Sequence, residues 1–241
     1  MSYRTGPKIV TDGLVLCLDA ADSNSYAGSG NTWTDLSGNG NSGTLVNGPV
    51  FSSNNGGVIT FDGSNDWSYF TASNAITGNN PSSLSMMGFF KSNPSNTARG
   101  YLFSLKRLST PSTLFSIEIN SNGGVTTTGY IGCLTWYGIN GIGHTYLSYD
   151  GDVVDGNWHF VAAVVHSSGR ELYLDGELVK TDTSAMPQNV SGHTSAYTVG
   201  AFDTGSNLYW GSIANNLIYT RRLSSDEITQ NYNATKGRFG L

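Results

Sequence analysis

Asn157-Trp158-His159-Phe160-Val161-Ala162-Ala163-Val164-Val165-His166-Ser167-Ser168-Gly169-Arg170-Glu171-Leu172-Tyr173-Leu174-Asp175-Gly176-Glu177-Leu178-Val179 decides the fold of this 241-residue chain. From Trp158 to Val165 the stretch is almost unbroken apolar and rich in β-branched residues. A run that short, closed by Ser167-Ser168-Gly169, fits a strand covered on both faces better than a helix. Leu172-Tyr173-Leu174 then leads into Asp175-Gly176, and Leu178-Val179 follows. Asp-Gly between two apolar runs predicts a hairpin, because both central residues of a type I′ turn need positive φ. Three consecutive antiparallel strands, the middle of an all-β sheet, are expected here.

Outward from this centre the same grammar continues. Residues 8–11 and 13–19 form a first strand region, and Trp33 anchors the loop of residues 20–35. Strands are expected at residues 83–90, 101–106, 114–119, 125–134, 197–200 and 211–219. Residues 136–149 are rich in Gly and aromatic side chains. Near the end the period changes. Ser224-Ser225-Asp226-Glu227 is a capping box, with Ile228 and Tyr232 on one helical face behind it, so a short helix near 225–234 docking on a sheet edge is predicted. No internal repeat or low-complexity linker interrupts the chain. The expected division is an N-terminal arm (1–12), one domain (13–235) and an aperiodic tail (236–241) whose Arg238-Phe239 is a candidate partner contact.

Composition narrows the class. Charged residues make up 12% of the chain, Gly numbers 31, and the net charge is −5. A polar, weakly charged surface of this kind suits exterior β-proteins. The acidic balance and scattered basic residues argue against a nucleic-acid partner, which needs a basic patch. No apolar run reaches the roughly 18 residues of a membrane helix, and residues 1–7 lack the apolar core of a signal peptide. Cys17 and Cys133 fit either one disulfide or two buried thiols; the apolar run around Cys17 favours thiols.

Several segments together resemble a known family. Trp158-His159-Phe160-Val161-Ala162 with Leu172-Tyr173-Leu174-Asp175-Gly176 is similar to the W-H-x-V-A … L-Y-x-D-G core of laminin G-like, concanavalin A-like jelly-roll domains. Residues 35–45 resemble the family's D-x-S-G-N-G-x-x-G-T-L segment, and residues 60–66 its F-D-G-x-x-D turn. Tyr197-Thr198-Val199-Gly200 and residues 221–232 resemble its L-x-I-G strand and its R-x-L-S-x-x-E-I-x-x-x-Y ending. Phe89 stands where the family often has Trp, in the same expected core role. The resemblance implies an all-β, two-sheet antiparallel jelly-roll sandwich of the concanavalin A type, with a short C-terminal helix.

The chemistry that this fold can carry is mostly missing. Glycosidases need paired carboxylates across the scissile bond, and the E-x-D-x-x-E triplet of the family's β-glucanase branch is absent, so no enzyme activity is expected. His144, His159, His166 and His193 lie outside any hydrolase or zinc motif. Calcium wants several oxygen ligands; Asp62 with Asp66, and Asp150 with Asp152 and Asp155, are the candidate clusters. Turn chemistry explains both without metal, and the acids of the family's S-I-D-E-V strand are replaced by Ala214 and Asn215. No other cofactor is expected. For carbohydrate, ring-stacking candidates are Trp136, Tyr137, Tyr146, Tyr149, Trp67 and Trp210, with core or inter-subunit packing as the competing reading.

The two ends of the chain, residues 8–20 and 231–241, resemble those of laminin G-like structural proteins of tailed, T4-like marine bacteriophages. That resemblance implies a non-enzymatic virion surface protein, as capsid decoration, head fibre or tail-fibre-associated protein. It would be made in the host cytoplasm without a signal peptide. Its partners would be other virion proteins and host-surface glycan, with neither nucleic acid nor membrane, in a possible oligomer. A free-standing lectin and a glycan hydrolase are the competing classes.

Overall fold

The computed structural model describes residues 7–72, 83–107, 112–122, 125–136, 144–183, 195–202 and 205–241. Among them the strands are β1 (Leu14–Asp19), β2 (Thr32–Trp33), β3 (Gly43–Val46), β4 (Val50–Ser52), β5 (Val58–Asp62), β6 (Trp67–Ala72), β7 (Ser83–Ser92), β8 (Gly100–Arg107), β9 (Ser112–Asn122), β10 (Val125–Trp136), β11 (His144–Asp150), β12 (His159–His166), β13 (Gly169–Leu174), β14 (Glu177–Asp182), β15 (Ser195–Val199), β16 (Trp210–Ile213) and β17 (Asn215–Tyr219). The helix α1 (Ser225–Thr235) follows them. One sheet runs β14-β13-β12-β7-β16-β5-β4, with β17 pairing both β7 and β1; the other runs β11-β10-β9-β8-β15-β6-β3-β2. The pairings are antiparallel. This is the expected two-sheet sandwich with a C-terminal helix.

The deciding stretch folds as three strands in succession, but at one side of its sheet rather than the middle, since β14 is an edge. Both faces of β12 are covered. Val161, Ala163 and Val165 enter the core between the sheets, while Phe160, Ala162 and Val164 enter a second core. That double burial is why the strand reads as a continuous apolar run. Asp175 and Gly176 sit at φ 51° and 88°, as the tight turn requires. Asp175 also accepts from the Phe160 backbone N–H at 2.8 Å, closing the turn onto β12.

The second core lies under α1, on the outer face of the nine-stranded sheet. Phe89 is fully buried there and packs at 5.0 Å from Phe160, 5.9 Å from Tyr232 and 4.6 Å from Phe239, ring centre to ring centre. The helix therefore docks on the sheet's face, not on an edge, because Phe89, Phe160 and Tyr173 all point outward beneath it. Its N-terminus has the predicted capping box: Glu227 N–H donates to the Ser224 hydroxyl at 3.3 Å, and Ser224 N–H donates to the Glu227 carboxylate at 2.9 Å. Arg221 adds two donors to the same carboxylate, at 2.9 and 2.6 Å.

The terminal segments are tied to this face. Val10 N–H donates to Asn231 at 2.8 Å, and Tyr219 donates to the Val10 carbonyl at 2.8 Å. In the aperiodic tail, Arg238 donates to Asp19, Asn55 and Gly57, and Phe239 stacks on Phe89 and packs at a tilt against Trp158. The Arg238-Phe239 pair is thus used within the chain. The expected last strand at 211–219 is two strands, β16 and β17. Ala214 breaks the run, its N–H bonded to Phe89 O and its carbonyl to Ala20 N–H.

The Gly- and Asn-rich segment at 35–45 is organised by one carboxylate. Asp35 accepts from the backbone N–H groups of Cys17, Ser37 and Asn41 and from the Ser37 hydroxyl, all at 2.8 to 3.0 Å. Four donors satisfy a buried carboxylate without a cation. Cys17 and Cys133 are both buried free thiols, in different cores. Burial pushes both up to about 12.

Candidate functional site

The outer face of the eight-stranded sheet carries an unusual concentration of polar groups. Along β9, Phe115, Ile117 and Ile119 point into the core, so Ser116 and Glu118 point outward. The register puts Tyr101 of β8 and Gly132 of β10 beside Glu118, and Ser148 of β11 beside Gly132. By the same alternation Tyr146 is outward and Leu147 inward. An outer sheet face is usually wet, yet Ser116 and Glu118 are buried at 0% and 1% exposure.

The buried carboxylate is fully engaged. Arg99 donates from Nε to Glu118 at 2.8 Å, its Nη2 lies 2.7 Å from the same oxygen, and the Ser116 hydroxyl donates to the other oxygen at 3.2 Å. Arg99 Nη2 also donates to the Tyr101 hydroxyl at 2.6 Å, and the guanidinium carbon lies 5.2 Å from the Tyr101 ring centre. Burial works against the Arg99 charge, but pairing with Glu118 outweighs it and raises its pKa. Burial, then the Glu118 charge, pushes the Tyr101 phenol far above its usual range. Tyr146 lies two strands across from Ser116, through Leu134, on the same outward face. Arg99, Tyr146 and Ser148 are half-buried, the accessible rim of a charge-paired floor.

The six aromatic candidates do not meet in one place. Tyr146 is at the site. Tyr149 points the other way and packs, partly buried, against the core between the sheets. Trp67 is buried, edge-on to Tyr69 at 6.1 Å, and is corrected to a packing residue. Trp210 is 38% exposed but starts β16 in the other sheet, opposite Asp62. Trp136 ends β10; its side chain, and all of Tyr137, lie outside the described residues.

The aspartates form turns rather than a ligand shell. Asp62 accepts from the N–H groups of Ser64, Asn65 and Asp66 at 2.7, 3.1 and 3.4 Å, and Asp66 accepts from Asp62 N–H at 3.1 Å. The Ser64 N–H, first among these, lowers the Asp62 pKa, whereas burial raises that of Asp66. Asp155 accepts from Asn157 N–H at 2.8 Å and lies 3.3 Å from His159 Nε2. Asp150 and Asp152 flank Gly129. Among the described residues no three acidic, His or Cys side chains gather as a metal site.

His159, the family-like histidine, is bound at both nitrogens. Its Nδ1 lies 2.9 Å from Asp175 and its Nε2 faces Asp155. Burial opposes its charge, but Asp175 and Asp155 together raise its pKa above the ordinary histidine value.

Arg99, Tyr101, Ser116 and Glu118 escaped the sequence reading. The available signal was Glu118 alternating with Phe115, Ile117 and Ile119, a charge at the outward step of an apolar strand. Its partner lies 19 residues away, and only the β8–β9 register joins them.

Comparisons place this geometry among known proteins. The chain superposes on the binding domain of botulinum neurotoxin DC, solved in complex with SialylT, with a TM-score of 0.70 at 14% identity, covering 93% of this chain and 52% of that one. It matches the botulinum neurotoxin type C structure, whose cell entry depends on two ganglioside molecules, with a TM-score of 0.70 at 13% identity over 94% and 52%. The receptor-binding domain of the C/D mosaic serotype gives 0.67 at 16% identity over 92% and 51%. The chain thus spans about half the length of these structures, and at such identities the likeness is one of fold. No curated protein sequence matches it. The family model described as the concanavalin A-like lectin/glucanases superfamily matches residues 62–229, more than half of the sequence. On that match and this architecture, the chain belongs to the concanavalin A-like lectin/glucanases superfamily.

Proposed function

We propose that the chain is a non-enzymatic carbohydrate-binding module displayed on the surface of a tailed-phage particle. There it is held by other virion proteins and turned toward host-surface glycan. The observation that carries the binding reading is the Arg99–Glu118–Tyr101 cluster with Tyr146 and Ser148 at its rim. Paired charges, hydroxyls and a phenol ring held rigidly by a sheet supply the hydrogen bonds and the ring face that a sugar needs. Neurotoxin binding domains of the same fold engage sialylated ligands and gangliosides, which supports a saccharide ligand of some kind here.

Spacing supports the non-enzymatic reading. Asp150 is the other outward carboxylate near Glu118 among the described residues. It lies two strands across and two residues along, roughly 12 Å between backbone positions. Glycosidase carboxylates stand about 5–9.5 Å apart, and Glu118 is already committed to Arg99. The particle location is supported by the resemblance of both chain ends to phage structural proteins and by the weakly charged composition.

Two measurements test the reading. Tyr146→Ala should abolish binding on a glycan array while leaving the unfolding midpoint within about 1 kcal/mol of wild type; retained binding would remove this site. Mass spectrometry of purified particles should find the chain, and its absence there would leave a free lectin.

A further inference from the structure

We infer that the Arg99–Glu118 site selects neutral over acidic saccharides, an inference that rests on the glycan-binding reading above. Acidic sugars are held by cations whose charge is available to them. Arg99 is the cation at this site, and Glu118 lies directly beneath it, 2.7 Å from Nη2 and sealed from water. A ligand carboxylate approaching Arg99 would meet Glu118 a few ångströms further on. Attraction and repulsion between such close charges nearly cancel, because Coulomb energy falls only as the inverse distance.

The surroundings do not restore a positive field. Asp150, at the end of β11, adds a second negative charge on the same face. The next cations on the sheet are Lys106 and Arg107, five and six residues along β8 from Tyr101, the residue paired with Glu118, roughly 15–20 Å away along the strand. The segments outside the described residues between 73 and 204 contain neither Lys nor Arg. Their histidine, His193, is the one titratable base among them. The chain as a whole carries −5, which disfavours an anionic ligand at long range. The likeness in fold to sialyl-binding neurotoxin domains therefore does not extend to ligand charge.

The test is an array of matched saccharides, each printed with and without a terminal sialic or uronic acid, such as lactose beside sialyllactose. Wild type should bind the neutral member of its best pair about tenfold or more tightly than the acidic one. Glu118→Gln keeps the side-chain shape and removes the negative charge beneath Arg99, so it should shift that ratio about tenfold toward the acid. Preference of wild type for acidic members overturns the inference and leaves the glycan reading standing. An unshifted ratio in a folded Glu118→Gln does the same. Binding to no saccharide removes the glycan reading itself. Where Glu118→Gln does not fold, salt decides with wild type alone: affinity should hold between about 0.05 and about 0.5 M salt, and a steep loss would refute neutral selection.

Discussion

Phe89→Ala would test the second core more severely than any other single change. Phe89 is fully buried, with three aromatic neighbours at 4.6, 5.0 and 5.9 Å. Removing a buried Phe side chain costs about 3–5 kcal/mol, against a total stability of about 5–15 kcal/mol. The unfolding constant should therefore rise about a hundredfold or more. In urea, with a slope of about 3 kcal/mol/M, the midpoint should fall by about 1–2 M. Phe239→Ala, at a half-buried ring stacked on the same face, should cost about 1–2 kcal/mol. Because the two rings touch, the double variant should be less destabilised than the sum, by about 0.5–1.5 kcal/mol. A loss below about 1 kcal/mol for Phe89→Ala, or strict additivity of the pair, would show that tail and helix do not seal this core.

Three further outcomes follow from the charges and thiols. Glu227 is held down to about 2 by Arg221 first and by the Ser224 N–H, so its contribution is present above about pH 4.5 and lost as pH falls toward 2. Glu227→Gln should cost about 1–2 kcal/mol at neutral pH, discounted for partial exposure, and almost nothing at the acid end; a pH-independent loss would contradict the pairing. His159 is raised by Asp175 and Asp155 against the effect of burial. Its stabilisation is complete below the unfolded histidine pKa and disappears as pH climbs through the folded value. NMR titration should show Asp175→Asn lowering that pKa, and an unmoved titration would disprove the contact. Cys17 and Cys133 should resist a thiol reagent in the native protein and both react in denaturant without reductant. A lack of reaction in denaturant would reveal a disulfide.

The sequence carried local information well and cross-strand information poorly. The hairpin at Asp175-Gly176 and the capping box at Ser224–Glu227 depend on neighbours a few residues apart, so composition and spacing suffice to see them. The run at β12 announced two covered faces. What it could not show was where β12 sits in its sheet, because that order is set by partners such as β7, some seventy residues away. Trp67 and Tyr149 illustrate the limit for the site. Each is an aromatic residue near a loop, and the step of the pleat turns both toward packing. Tyr146 lies three residues from Tyr149 and faces the opposite side. The same pleat hides Glu118, whose partner is chosen by a bulged register between β8 and β9.

The two covers over β12 change what holds its alignment. In a strand with one wet side, a slip by one residue is punished because greasy groups would meet water. Here water is on neither side, and that penalty disappears. Girth takes over: Phe160 fits the aromatic compartment under the helix, while Val161 and Ala163 fill the gap between sheets. Swapping the bulk of Phe160 and Val161 would keep the hydropathy profile unchanged and still leave a void on one side and a collision on the other.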